Sequence, residues 1–231
     1  MTPTINSSHY SVVIVGAMNP AIHHPQWYSA VEMLSADEAR EALRGGAVVL
    51  MPQLAQFQAA GLQIQCTPAN WQINTADEKQ RDRILDIAAK TFVRLGETPI
   101  GSYGINARFD VNTGSEQAVN TMGSRLCKQP VDLSFEGLDP NFDSLAVSYS
   151  MSNIEVDGQP QVQRQLKMTI ARAIRQPDAI LLTFNMHHSI VPRSEYSRFD
   201  LDVLLRESAV AFAKEKALMK HITDGLTDLK G

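Results

Sequence analysis

Alternation of apolar and polar residues predicts a series of β-strands in this chain. Residues 10–17 are rich in Val and Ile, which is typical of a strand. Gly61 and Asp157-Gly158 stand between alternating stretches and indicate tight turns. The pattern predicts strands near residues 10–17, 47–58, 61–67, 69–74, 100–110, 144–154, 160–175 and 178–187.

Apolar residues at helical spacing predict helices between these strands. Ser35-Ala36-Asp37-Glu38 is a capping box that restarts a helical stretch over 26–44, and Thr75-Ala76-Asp77-Glu78 is a second box that opens another helix. Two further helices are predicted at about 115–126 and 199–223. The helix after the second box presents an apolar face formed by Ile84, Leu85, Ile87, Ala88, Phe92 and Leu95.

The order of these elements predicts an α+β fold. Strands follow one another directly and helices are too few for parallel crossovers, so we expect an antiparallel sheet with helices packed on one face. The order β-α-βββ-α occurs twice and indicates an internal duplication. We expect a flexible N-terminus over 1–9, one half over 10–97 and a second half over 98–231, which carries a loop insertion near 127–143.

This twofold plan resembles that of the saddle folds that place helices on a sheet, of which the TATA-binding-protein-like fold is the best known. The resemblance lies in the order of elements and in no sequence motif. It therefore implies a saddle-like fold, and it assigns no site residue.

One face of the predicted sheet is unusual because its polar residues are amides. In the strand over 61–67, Leu62, Ile64 and Cys66 alternate with glutamines, and the neighbouring strands repeat the pattern. An amide both donates and accepts hydrogen bonds, and it is cheaper to desolvate than a charge. The candidate binding residues, which we call the amide face, are Gln56, Gln58, Gln63, Gln65, Asn70, Gln72 and Asn74.

The distribution of charge along the chain supports the amide face as a candidate binding surface. The 21 Lys and Arg against 25 Asp and Glu give a net charge of −4, which argues against bulk electrostatic binding to nucleic acid or to an anionic membrane. Residues 1–31 and 45–76 carry no Asp, Glu, Lys or Arg at all. The basic residues Arg164, Lys167, Arg172 and Arg175 are expected to pair with nearby acids such as Asp143, Glu155 and Asp157.

The two cysteines and the apolar runs indicate the compartment. Cys66 and Cys127 are too few for a disulfide framework, and Cys66 shares the apolar strand face. No apolar stretch reaches the length of a membrane span, and the polar first residues do not resemble a signal peptide. We therefore expect a soluble cytoplasmic protein without a membrane partner.

No motif in the sequence is specific for catalysis, and we expect no cofactor. Gly101-Ser102-Tyr103-Gly104 lacks the spacing of a phosphate loop, and neither a nucleophile elbow nor a zinc motif occurs. The pairs His23-His24 and His187-His188 do not chelate easily, because adjacent strand residues point to opposite faces, so no metal site is predicted. The loop over 189–200, with Arg193, is the best place for a small polar pocket.

These observations favour a non-catalytic binding or assembly protein that uses the amide face for self-association or for docking to a protein partner. The first alternative is a saddle-shaped nucleic-acid-binding protein that uses the same sheet. The second alternative is an enzyme or small-ligand binder with a pocket between the halves near His187, His188 and Arg193. A plain solvated face, or one covered by the other half of the chain, is the simplest interpretation against which these must be weighed.

Overall fold

The computed structural model describes residues 3–45, 47–126, 146–156 and 159–190, and within these ranges the chain has an α+β fold. In chain order the elements are first β1 Thr4–Gly16, α1 Pro25–Ala30, α2 Ala36–Arg44, β2 Val49–Met51, β3 Leu54–Ala59, β4 Leu62–Cys66, β5 Asn70–Thr75 and α3 Arg81–Arg94. They continue with β6 Ile100–Asn112, α4 Glu116–Leu126, β7 Ala146–Val156, β8 Gln159–Arg172 and β9 Ala179–Ile190. Short 3₁₀ helices, Pro20–Ile22 and Glu78–Gln80, precede α1 and α3.

All of these strands belong to one antiparallel sheet with the order β2-β3-β4-β5-β1-β6-β9-β8-β7. In each half the chain begins at the centre, crosses to an outer edge and returns inward strand by strand. The predicted antiparallel α+β sheet is thus confirmed. The duplication stays a prediction. The predicted helix at 199–223 and the predicted loop at 127–143 lie outside the described residues.

The hydrophobic core lies on one face of the sheet, beneath the helices. Val12, Ile14, Trp71 and Ile73 point into it from the central strands and are fully buried. Helix α3 packs on β1 and β5, α2 packs on β3, and α4 packs on β9. Each large apolar side chain so buried stabilises the fold by about 1.5–3 kcal/mol.

The predicted apolar face of α3 is correct. Ile84, Leu85, Ile87, Ala88 and Phe92 are buried, whereas Leu95 is half-buried at the C-terminal cap of the helix. The helix therefore covers the sheet with the side chains that its spacing indicated.

β1 begins earlier than the sequence pattern predicts. It starts at Thr4, so residues 4–9 extend the central strand instead of forming a separate flexible terminus. His9 lies opposite Arg108 of β6, and pairing continues to Thr4 opposite Asn112. A strand is stabilised by backbone hydrogen bonds to its neighbour. The 13-residue β6 is long enough to form those bonds with the residues that precede Tyr10 in β1.

Two predicted elements are each divided in the structure. The strand predicted over 47–58 is a hairpin of β2 and β3 that turns at Pro52-Gln53, where proline cannot donate to the ladder. The helical stretch over 26–44 is α1 followed by α2. The predicted capping box of α2 is confirmed: the Ser35 backbone N–H donates to Glu38 Oε2 at 2.8 Å, and the Glu38 N–H donates to Ser35 Oγ at 3.2 Å.

The second predicted capping box is wrong. Thr75 is the last residue of β5 and is buried, and its hydroxyl donates to the Gly61 carbonyl oxygen at 3.0 Å. Asp77 caps the 3₁₀ turn instead, because its carboxylate accepts from the Lys79 N–H at 3.0 Å. Thr75 pairs in the sheet, its Oγ accepts from the Asp77 N–H at 3.1 Å, and α3 begins only at Arg81, after the 3₁₀ turn.

The hairpin between β3 and β4 turns through two residues with positive φ. Ala60 has φ +49° and Gly61 has φ +78°, which is the geometry of a type I′ turn. This turn fixes the register in which Gln58 lies opposite Gln63. It therefore sets which side chains of the hairpin reach the same face.

Candidate interaction surface

The structure places the seven predicted amides on the face opposite the core. In β4 the half-buried Gln63 and Gln65 alternate with the buried Leu62, Ile64 and Cys66. β3 and β5 follow the same alternation, so Gln56, Gln58, Asn70, Gln72 and Asn74 point the same way. The amide face is therefore one continuous surface over β3, β4 and β5, and its binding role stays a prediction.

Strand register extends this surface across the second half of the chain. One line of directly opposed residues, which we call the Gln63 row, runs across seven strands at nearly right angles to them. It consists of Gln58, Gln63, Asn74, Ser11, Asn106, Asn185 and Lys167.

Two parallel rows lie beside the Gln63 row. The Gln65 row contains Gln56, Gln65, Gln72, Val13, Gly104, His187 and Gln165. The Val15 row contains Asn70, Val15, Ser102 and Ser189. We call the surface formed by the three rows the open face. The described strands of the second half, β6, β9 and β8, continue this face rather than lying across it.

Hydrogen bonds between neighbouring side chains orient the amides on the open face. Gln72 Nε2 donates to Gln65 Oε1 at 3.0 Å. Asn185 donates to the Asn106 side-chain oxygen, and Asn106 Nδ2 donates to Ser11 Oγ at 3.2 Å. Each amide has two donor hydrogens and an accepting oxygen, so such a bond leaves hydrogen-bonding capacity for a partner.

Apolar side chains occupy the middle of the open face. Val13 is half-buried, and Val15 is 43% exposed although it lies on the central strand β1. The large aromatic rings of the central strands point the other way: Trp71 and Tyr103 are fully buried in the core. The open face therefore combines a small apolar centre with surrounding amides.

Few ionised groups are found on the open side of the described strands. Lys167 ends the Gln63 row and is exposed. Arg108 and Asp110 lie further along β6, with Arg108 Nη2 3.8 Å from Asp110 Oδ1. The Asp110 carboxylate also accepts from Ser7 Oγ at 2.5 Å. These opposite charges largely compensate one another at one end of the sheet.

The basic residues of β8 do not form a common patch. Arg164 and Arg172 lie on the core side of the strand, and Arg172 forms an ion pair with Glu116 at the start of α4. Lys167 lies on the open face, and Arg175 follows the end of the strand. Arg172 thus pairs with a different acid from those expected, while Asp143 and Asp157 lie outside the described residues.

The histidine pairs are separated by the fold. His187 lies on the open face, with its Nε2 3.2 Å from Ser189 Oγ, whereas His188 is buried and stacks on Tyr103 at a ring distance of 4.3 Å. The expectation that the two point to opposite faces is confirmed. His24 is the N-cap of α1. Residue 193 lies outside the described ranges, so the predicted pocket beside it stays a prediction.

His23 belongs to the core rather than to a surface site. Trp71 Nε1 donates to the Tyr28 hydroxyl oxygen at 2.8 Å, and that hydroxyl lies 2.8 Å from His23 Nδ1. Because burial disfavours the imidazolium and His24 adds repulsion, the pKa of His23 is lowered to about 4. The ring is therefore neutral at pH 7, and its Nδ1 shares a hydrogen bond with the Tyr28 hydroxyl.

Neither a metal centre nor a reactive thiol emerges from the described part of the chain. Among these residues, His, Cys, Asp and Glu do not cluster in groups of three or more that are suited to a metal ion. Burial raises the pKa of the Cys66 thiol to about 12, which keeps it protonated and unreactive. Of the helices in these ranges, none is both long and apolar enough to cross a membrane.

Comparison with known proteins does not assign a family. No protein-family model matches the chain, and no curated protein matches it either. The geometry of the open face is therefore the basis for assigning a function to the chain.

Proposed function

We propose that this protein is a non-catalytic binding or assembly protein and that the open face is the surface on which another protein chain docks. The observation that carries the proposal is the continuity of uncharged residues in the Gln63 row, where amides of β3, β4 and β5 continue through Ser11 of β1 to the amides of β6 and β9. Solvated protein surfaces are usually rich in Lys and Glu, which oppose close association. A face that lacks those charges in its first half is easier to desolvate.

The chemistry of the open face favours protein over nucleic acid as the partner. Binding to single strands uses exposed aromatic rings, but Trp71 and Tyr103 are buried on the opposite side of the sheet. Phosphate binding needs clustered cations, whereas Arg164 and Arg172 lie on the core side and Lys167 on the open face. Nucleic acid therefore becomes the competing outcome of the experiment.

A matched pair of substitutions tests the proposal. Gln65→Glu places a charge on β4 within the open face, and Gln117→Glu makes the same change at an exposed position of α4, on the helix side. Immobilised wild-type protein and Gln117→Glu should retain the same bound protein from cell extract, whether another copy or a different chain. Gln65→Glu should retain at least about tenfold less, because the interface must bury an unpaired charge.

Two results would contradict the proposal. In the first, Gln65→Glu retains as much protein as Gln117→Glu, which would place the contact elsewhere. In the second, the wild type retains DNA or RNA that is released in proportion to salt, which would favour the nucleic-acid alternative.

A further inference from the structure

The open face has the area of a standard protein interface. Strands in a sheet are spaced about 4.8 Å apart and alternate residues along a strand about 6.8 Å, so two rows over seven strands and the Val15 row over four span about 590 Å². Burial of this patch on two chains removes about 1,200 Å² from solvent, which is at the lower end of the range of stable complexes. The face therefore needs no further surface to support a specific association.

The chemistry of the open face is complementary to itself. An amide donates and accepts, so a row of amides can pair with an identical row, whereas a row of like charges repels its own copy. The Gln63 row and the Gln65 row also extend equally from β1, over β5, β4 and β3 on one side and over β6, β9 and β8 on the other. A two-fold axis near Val13 brings the whole patch of one copy onto the same patch of another.

The centre of the open face has the anatomy expected of such a contact. Val13 and Val15 form an apolar centre on β1, and amides and hydroxyls such as Gln72, Asn106 and Ser102 surround it. Interfaces commonly place apolar residues in the middle and polar residues at the rim. The exposed Val15 gains most from burial, because it is 43% accessible in the single chain.

We infer that the occupant of the open face is a second copy of this chain, docked face to face about a two-fold axis near Val13. This inference rests on the proposed function, because it names the partner for the same face. In this arrangement a residue beside the two-fold axis must lie close to the same residue of the second copy. Two equal charges at position 13 therefore repel, and opposite charges attract.

Analytical ultracentrifugation of the purified full chain tests this arrangement from about 1 to about 100 µM. Wild type and Gln117→Glu should sediment as dimers. Val13→Lys and Val13→Glu should each weaken dimerisation by about a hundredfold when alone, and an equimolar mixture should restore it at least about tenfold. Gln65→Glu, which lies away from the axis, should weaken the dimer and serves as a second variant if position 13 tolerates no charge.

Each result decides the inference. A wild type that remains monomeric at about 100 µM overturns it, as does a dimer that Val13→Lys and Gln65→Glu leave unchanged. Weakening without rescue in the mixture overturns the two-fold arrangement. The proposed function is tested separately. If the wild type is monomeric but binds a different protein, which Gln117→Glu also binds and Gln65→Glu does not, the proposed function holds and only the dimer is overturned.

Discussion

The two faces of the same strands differ in what their side chains do. Trp71 and Gln72 are neighbours in β5, yet Trp71 is fully buried and hydrogen-bonded to Tyr28, whereas Gln72 lies half-buried in a row of amides. Strand alternation thus places packed side chains and side chains of the open face next to each other in the six residues of β5. Substitutions on the covered face should therefore change stability, and those on the open face should change association.

The largest effect is expected for the pair Trp71→Ala and Gln72→Ala. Truncation of Trp71 leaves a cavity and removes the donor to the Tyr28 hydroxyl, so the free energy of unfolding should fall by about 4 kcal/mol. Gln72→Ala removes only a bond to Gln65 and should change it by less than about 0.5 kcal/mol. Urea denaturation of a dilute sample measures both, and similar losses for the two variants would abolish the contrast between the faces.

Acid should lower the free energy of unfolding because His23 is buried on the covered face. Above pH 6.5 His23 is neutral in both the folded and the unfolded chain; below it the unfolded chain binds a proton that the folded chain, with a pKa of about 4, does not. Stability should therefore fall by about 3 kcal/mol as the pH drops from 6.5 to 4.

The matched variant for this experiment is His23→Gln, whose side-chain oxygen can still accept from Tyr28. Its unfolding free energy, measured by denaturant titration at each pH, should lack that part of the pH dependence. A wild type and a His23→Gln variant with parallel profiles would show that His23 does not titrate as a buried group.

A smaller effect on stability is expected at Ser35, the N-cap of α2, which packs on β3. Ser35→Ala removes the acceptor for the Glu38 N–H and should lower the free energy of unfolding by about 1 kcal/mol. Ser102→Ala makes the same change in the Val15 row and should change the free energy of unfolding by less than about 0.5 kcal/mol. Thermal melting of the two variants compares the faces with identical chemistry; a larger loss from Ser102→Ala would reverse the assignment.

The smallest effect is expected at the β3–β4 turn. Ala60 adopts φ +49°, a left-handed conformation that Asn tolerates better than Ala, and Asn-Gly is the preferred type I′ pair. Ala60→Asn should therefore raise the melting temperature by about 2 °C, while the β-branched Ala60→Val should lower it. Both substitutions should leave association unchanged, since they lie outside the three rows. A lower melting temperature for Ala60→Asn, or a higher one for Ala60→Val, would argue against the turn geometry.

The sequence was sufficient to predict the amide face of the first half. Gln63, Gln65, Gln72 and Asn74 lie in short strands joined by tight turns, so alternation alone places them on one side. It was not sufficient to predict that Asn106 and Asn185 continue their row. That depends on the register between β1 and β6, which joins Ser11 to Asn106, 95 positions further along the chain. Local pattern carries no information about such a pairing.

Local signals also failed where a tertiary contact competed with them. Thr75 has the sequence context of a helix cap, but its backbone ends β5, and its hydroxyl donates to the Gly61 carbonyl oxygen while it accepts from the Asp77 N–H at 3.1 Å. The polar residues before Tyr10 have no strand signal of their own, and they form a strand because β6 pairs with them. By contrast, Ser35 and Glu38 satisfy each other, and their capping box was predicted correctly.

The central position of β1 has a consequence for synthesis of the chain. β1 is made before both of its neighbours, β5 and β6, so its second edge is not fully paired until residue 112 has left the ribosome. Through that interval a Val- and Ile-rich strand is exposed in a segment without a single charged residue to discourage aggregation. Nascent chains of this protein should therefore depend on chaperones more than chains whose first strand closes a local hairpin.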